Sequence, residues 1–149
     1  MTSELLMRYS QSSIEFLELA KSLTKSELEA PSQDGEWSRA YILHHMADAD
    51  VHFAARYWHV LTVEKPSLAD FDEDLYPVNL FYANRNPLDS LAAIEGLFRM
   101  TFDALKYVEE AKWQRTGVHA VNGELTLSQI LGYAVDHRES HLNQLRQFR

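Results

Sequence analysis

His137 and His141 stand four residues apart in "AVDHRESHLNQL", residues 134–145. If that segment is helical, one turn places their Cβ atoms about 6 Å apart on one face, and two imidazoles there can converge on a single cation. The chain holds seven histidines, at positions 44, 45, 52, 59, 119, 137 and 141. His44 and His45 are adjacent, so on a helix they point about 100° apart and only one can face the interior. His45 shares an apolar stripe with Ile42, Met46, Ala49 and Phe53. His44 is off that stripe and is expected on a flank. His45, His137 and His141 are therefore the candidate metal ligands. Three protein nitrogens with open positions are the pattern of a catalytic metal site, not a closed structural one. The competing reading is three packed histidines with no metal, each satisfied by a carboxylate or a water, since unpaired polar groups are costly to bury.

Other residues are weighed against this trio. His52 lies two turns after His45, and seven residues rise about 10.5 Å along a helix. Ligands of one ion sit about 3–4 Å apart. His52 is thus excluded as a partner of His45 and is expected to be a partly exposed histidine that could line a pocket. Asp48, three residues after His45, is the candidate catalytic carboxylate: a base, a fourth ligand or a group that orients an imidazole. A solvated or ion-paired surface role is the alternative. Asp136 and Glu139 flank the histidine pair but point off its face. His119 falls in a glycine-bounded loop, where a solvated side chain is the default and a binding role the alternative. His59 is expected at the surface. The sequence has no Gly-rich phosphate loop, G-x-S-x-G, H-E-x-x-H or C-x-x-C-H. The Glu-x-x-His pattern of di-iron bundles is absent around His137 and His141.

Four long amphipathic segments must position these side chains. Residues 3–22 align Leu6, Tyr9, Phe16, Leu17 and Ala20. "TKSE", residues 24–27, is a capping box and predicts a short helical turn. Ser38 is a plausible N-cap for a second long helix, whose stripe runs on from Phe53 to Tyr57 and Val60. Residues 62–86 break the periodicity with two prolines and an acidic cluster, and a long ordered loop with a helical turn is expected. Asn86 before Pro87 opens a third helix with the stripe Leu91, Ile94, Phe98, Phe102, Leu105 and Val108. Residues 113–125 form another loop, in which Asn122-Gly123 could make a small hairpin. "TLSQ" from Thr126 is a second capping box, and the last stripe is Leu127, Ile130, Ala134, His137, His141 and Leu145. These features predict an all-α, single-domain four-helix bundle over residues 1–149, with the long loop between helices two and three.

Composition narrows the function. The chain has 149 residues, a net charge of −8 and no cysteine. An acidic surface without a Lys/Arg block argues against nucleic acid. The absence of cysteine removes disulfides, thiolate ligands and a cysteine nucleophile. The N-terminal residues lack the apolar core of a signal peptide, and no apolar run approaches the ~20 residues that span a bilayer. A soluble, cytoplasmic protein with no membrane partner is expected.

Two motifs carry a family resemblance. "EWSRAYILHHMADAD" resembles the W-[ST]-x-x-x-hydrophobic-hydrophobic-x-H-hydrophobic-x-[DE] signature of the DinB-like, or YfiT-like, metal-dependent enzymes. "GELTLSQILGYAVDHRESHLNQL" resembles that family's closing G-x-hydrophobic-[ST]-L…H-x-x-x-H-hydrophobic-x-Q, and "FDEDLYPVN" looks like the acidic loop of the YfiT-like branch. The resemblance implies a four-helix bundle whose divalent ion, zinc or nickel, is held at the positions of His45, His137 and His141. It also implies a small-molecule substrate and a homodimer. The reaction implied is either S-transfer from a low-molecular-weight thiol to a small electrophile or metal-assisted hydrolysis. Trp37, Tyr41, His52 and His119 are the candidate substrate-pocket residues. The alternative is a non-catalytic metal-binding or stress-related bundle.

Overall fold

The computed structural model describes residues 2–149. Among them six α-helices form: α1 (Thr2–Lys21), α2 (Lys25–Glu29), α3 (Arg39–Thr62), α4 (Tyr76–Asn79), α5 (Pro87–Leu105) and α6 (Leu127–Arg146). Their starts follow from local chemistry. Thr24 and Thr126 each accept from the N3 backbone N–H, while Glu27 and Gln129 reach back to the N-cap amide. Ser38 accepts from the Tyr41 N–H, and Asn86 caps α5 just ahead of Pro87. Each side-chain acceptor satisfies a helix donor that has no intrahelical partner.

The long helices α1, α3, α5 and α6 make a four-helix bundle. Helix α3 packs against both α5 and α6, and α1 packs against the same two helices. The chain's first two long helices therefore stand on a diagonal. Between them α2 supplies Leu28, fully buried against the core. The interior is built from the striped positions, including Phe16, Ile42, Met46, Ile94, Leu127 and Ile130. Each large apolar side chain so buried contributes about 1.5–3 kcal/mol. No helix among the described residues is long and apolar enough to cross a membrane.

One helix end departs from the sequence reading, and the two long loops take up the helical turn and the hairpin it allowed. The third long helix stops at Leu105, short of Val108. The chain turns there so that Trp113 enters the core, and its indole N–H donates to the Val108 carbonyl at 3.3 Å. The segment between α3 and α5 contains α4, two 3-10 turns and a strand, β1 (Ser67–Leu68). Residues 116–126 form the hairpin alternative, β2 (Thr116–His119) and β3 (Gly123–Thr126), with His119 opposite Gly123. Gly123 has φ +72°, a left-handed conformation that glycine adopts without steric cost. Strand β1 adds to β2 in parallel. A side chain at Gly117 would meet Leu68 at 2.9 Å, so the strand contact needs glycine there. Arg115 ties this small sheet to the end of α3 by donating to the carbonyls of Val60 and Val63.

Candidate metal centre

The packing of α3 on α6 brings together His45, His137 and His141. One ring nitrogen of each lies within 4.8 Å of the other two. The ring centroids are 4.9 Å apart for His45–His137, 4.7 Å for His45–His141 and 4.6 Å for His137–His141. His45 Nε2 is 2.8 Å from His137 Nε2, so one of these nitrogens carries the proton that the other accepts. His45 Nδ1 is buried and has no hydrogen-bond partner among the described residues. On the outer side, His141 Nδ1–H donates to Gln144 Oε1 at 2.7 Å. This bond fixes the tautomer and leaves the His141 Nε2 lone pair free, as an outer carbonyl does for ligating histidines.

Electrostatics favours neutral imidazoles. Burial, reinforced by the charge of His141, pushes the His45 pKa down to about 4. Burial, with His141 and His45 adding to it, pushes His137 down to about 3. His141 is also lowered, mainly by burial, although Gln144 and Glu73 oppose the shift. At neutral pH all three rings are therefore uncharged lone-pair donors, the state a metal ligand needs. A set of three nitrogens from two rigid helices suits a borderline divalent metal ion.

The other sequence candidates are placed differently. Trp37 stands beside the cluster, its ring 5.3 Å from that of His45. Phe53 flanks the far side, 6.1 Å from the His137 ring. Tyr41 packs against Tyr82, edge-on at 5.5 Å, and against His44 at 6.4 Å. His52 is half-buried; it stacks on Phe71 at 4.2 Å and lies 2.6 Å from the Tyr76 hydroxyl. His119 is buried, not solvated, and its Nδ1 accepts from the backbone N–H groups of Val121 and Asn122. The hairpin turn folds these amides over the ring, a constraint that the loop assignment missed. His59 is exposed.

His44 needs the larger correction: it is fully buried and is not a flank residue. Residues Ile42 to Ala47 are all buried, because α3 is covered by both α5 and α6 and its interior arc is wider than one stripe. His44 Nδ1 is 2.8 Å from Ser90 Oγ on α5. Burial, with the charge of Arg85 behind it, lowers its pKa to about 4.

Asp48 is engaged beside this pair. Arg85 donates to both of its carboxylate oxygens, at 2.8 and 3.0 Å, and the Tyr82 hydroxyl donates at 2.8 Å. The carboxylate clamps the segment before α5 onto α3. Asp48→Asn is expected to cost about 1–3 kcal/mol, the worth of charge-assisted bonds in a half-buried setting. Urea unfolding reads that loss, and metal content should stay at the wild-type level. Arg85, Gln144 and Glu73 were not singled out from the sequence as site residues. Gln144 had a signal, as the final residue of the closing motif. Glu73 had only its place in the acidic loop.

A four-helix bundle with a part-buried three-histidine cluster able to hold a metal ion is thus the class that fold and site define. The chain belongs to the DinB superfamily, whose sequence profile matches residues 8–145. It is similar to YfiT of Bacillus subtilis (strain 168), named as a candidate metal-dependent hydrolase, with 28% identity over 121 residues, 80% of this chain and 68% of that one. The solved structure of Bacillus subtilis YfiT, described as a four-helix bundle of unusual topology, matches with a TM-score of 0.81 at 23% identity over 98% of this chain and 86% of that one. A mycothiol-dependent maleylpyruvate isomerase matches with a TM-score of 0.81 at 15% identity, over 97% of this chain and 60% of that one. At these identities the two structures speak for the fold.

Proposed function

We propose that this protein is a metal-dependent enzyme acting on a small molecule, with one Zn²⁺ or Ni²⁺ held by His45, His137 and His141. The observation that carries the reading is the convergence of three neutral ring nitrogens within 4.8 Å across two helices. A divalent ion there lowers the pKa of a water or thiol at its open position, which generates a nucleophile at neutral pH. Hydrolysis is the leading reaction, supported by the relatives named as candidate metal-dependent hydrolases. Thiol-dependent transfer is the second reading, and one structural neighbour is a mycothiol-dependent enzyme. The chain has no cysteine, so the thiol in that case is a low-molecular-weight cosubstrate. Trp37 and Phe53 wall the cluster and give an apolar approach for substrate. His52 and His119 belong to the same end of the molecule but act at one remove. The protein works in the cytoplasm, and a homodimer is compatible with this reading.

Metal analysis by mass spectrometry on tag-free protein tests the proposal. Wild type is expected to carry about one equivalent of zinc or nickel, and His141→Ala to lose it. Hydrolase and thiol-transfer substrates are then screened with and without added thiol. A metal retained in His141→Ala would refute the ligand set. Metal binding without turnover in either screen would favour the non-catalytic bundle.

A further inference from the structure

The three histidines bring no charge of their own to a divalent cation. Asp48 acts on His45 from its place under Arg85 and Tyr82, and a second carboxylate comes closer. Glu73 Oε2 lies 3.5 Å from His45 Nε2, and its charge also reaches His141. Two ligands on one tetrahedral ion lie about 3.4 Å apart when each is 2.0–2.1 Å from the metal. The carboxylate therefore stands at a coordination-like separation from the cluster's most buried ring.

This placement is built by the segment around it. Glu73 opens a 3-10 turn, Glu73–Leu75, and Asp72 caps that turn by accepting the Asp74 N–H. Asp70 is turned elsewhere, 3.5 Å from His119 Nε2. On either side of Glu73 the chain is fastened to one residue of α3. Phe71 stacks on His52, and the Tyr76 hydroxyl meets His52 Nε2 at 2.6 Å. His52 sits two turns along α3 from His45, so residues 71 and 76 are anchored along the helix from the cluster while Glu73 between them reaches His45. Glu73 itself is 54% exposed, so its inward reach is not forced by burial.

We propose that Glu73 is the fourth cation-facing group of this site and that the Phe71–His52–Tyr76 clamp positions it. This inference rests on the three-histidine reading above. The carboxylate offsets part of the ion's charge through a water bound at the open position, and Tyr76 acts only through Glu73.

Zinc titration of metal-free protein against a chromophoric chelator tests it, with circular dichroism as the check on folding. Glu73→Gln is expected to bind Zn²⁺ about 10- to 100-fold more weakly, the usual effect of losing a group that supports a metal site. Tyr76→Phe, which keeps the ring and removes the hydroxyl, should weaken binding by a smaller factor. In the Glu73→Gln background the same change should have no further effect, because the two act as one unit. Unchanged zinc affinity in Glu73→Gln, with binding still abolished by His141→Ala, would overturn the role of Glu73 alone. Equal losses from Tyr76→Phe in both backgrounds would overturn the clamp. Failure of the wild type to bind zinc would overturn the three-histidine site and this inference together.

Discussion

Arg138→Ala is expected to lower the free energy of unfolding by about 3–5 kcal/mol, the cost of leaving a buried charge without its partner. Arg138 is 1% exposed and lies next in sequence to His137, about 100° round the helix, and its side chain enters the bundle on a different line. It meets Asp50 on α3 at 2.5 Å and stands over the Phe16 ring at 5.7 Å. The two charges answer each other unequally. Burial pushes the Asp50 carboxyl above its ordinary range despite the arginine, while Asp50 holds the guanidinium charged against its own burial. Tyr57 is buried beside them, its pKa driven up by burial and by the charge of Asp50. Removing the arginine leaves Asp50 to be protonated in place or to draw water into the core. The double change Asp50→Asn with Arg138→Met should recover much of the loss, since an unpaired charge is costlier than no charge at all. Urea unfolding of wild type, single and double variants measures the difference. A single variant as stable as wild type would show the pair to be solvated.

The sequence shows the bundle well where one stripe decides burial. The stripes of α1, α5 and α6 fall on the core, and both capping boxes form where threonine precedes glutamate or glutamine. Legibility fails on α3. A helix covered on two sides buries residues off its main stripe, and His44 and Asp50 both enter the interior that way. Arg138 carries the same lesson on α6. It occupies a second line with Leu131, Val135, Leu142 and Leu145, and that spacing was readable, but its charge argued for solvent. Only the carboxylate on the neighbouring helix makes its burial tolerable, and that is tertiary information.

The candidate site divides in the same way. His45, His137 and His141 are legible because helical spacing alone puts them on interior faces of two helices. Asp48 is legible as a residue but not in its partners, since Arg85 and Tyr82 arrive from an irregular segment with no periodicity to read. Glu73 is hidden for the same reason: a loop is placed by its anchors, here the ring of His52. The burial of His119 leaves no mark in the sequence because it depends on the hairpin around it.

Acid should uncouple metal from fold in a narrow range. With Zn²⁺ free at a thousand times its dissociation constant, binding to the folded chain alone adds about 4 kcal/mol of stability. Wild type should show that gain as a zinc-dependent rise in melting temperature at pH 7.5, and His141→Ala should show none. The pH dependence has a definite sign. His44, His45 and His137 have folded pKa values near 4, 4 and 3, below the usual value of about 6.5 that they regain on unfolding. Between these limits the unfolded chain binds more protons, so metal-free stability is complete above about pH 7 and falls as pH drops from about 6.5 toward 4. The same protons compete with the ion for His45 and His137, so the zinc increment fades over the acid part of that window too. Because burial holds these rings neutral, the increment should survive to a lower pH than solvent-exposed histidines would allow. Thermal melts from pH 7.5 to 4.5, with zinc and with chelator, separate the two effects: chelated protein follows the proton curve alone, and the gap between the curves is the metal's. A gap of the same size in His141→Ala would place the ion elsewhere. A chelated curve that stays flat through pH 5 would mean that these histidines titrate in the fold much as they do in water.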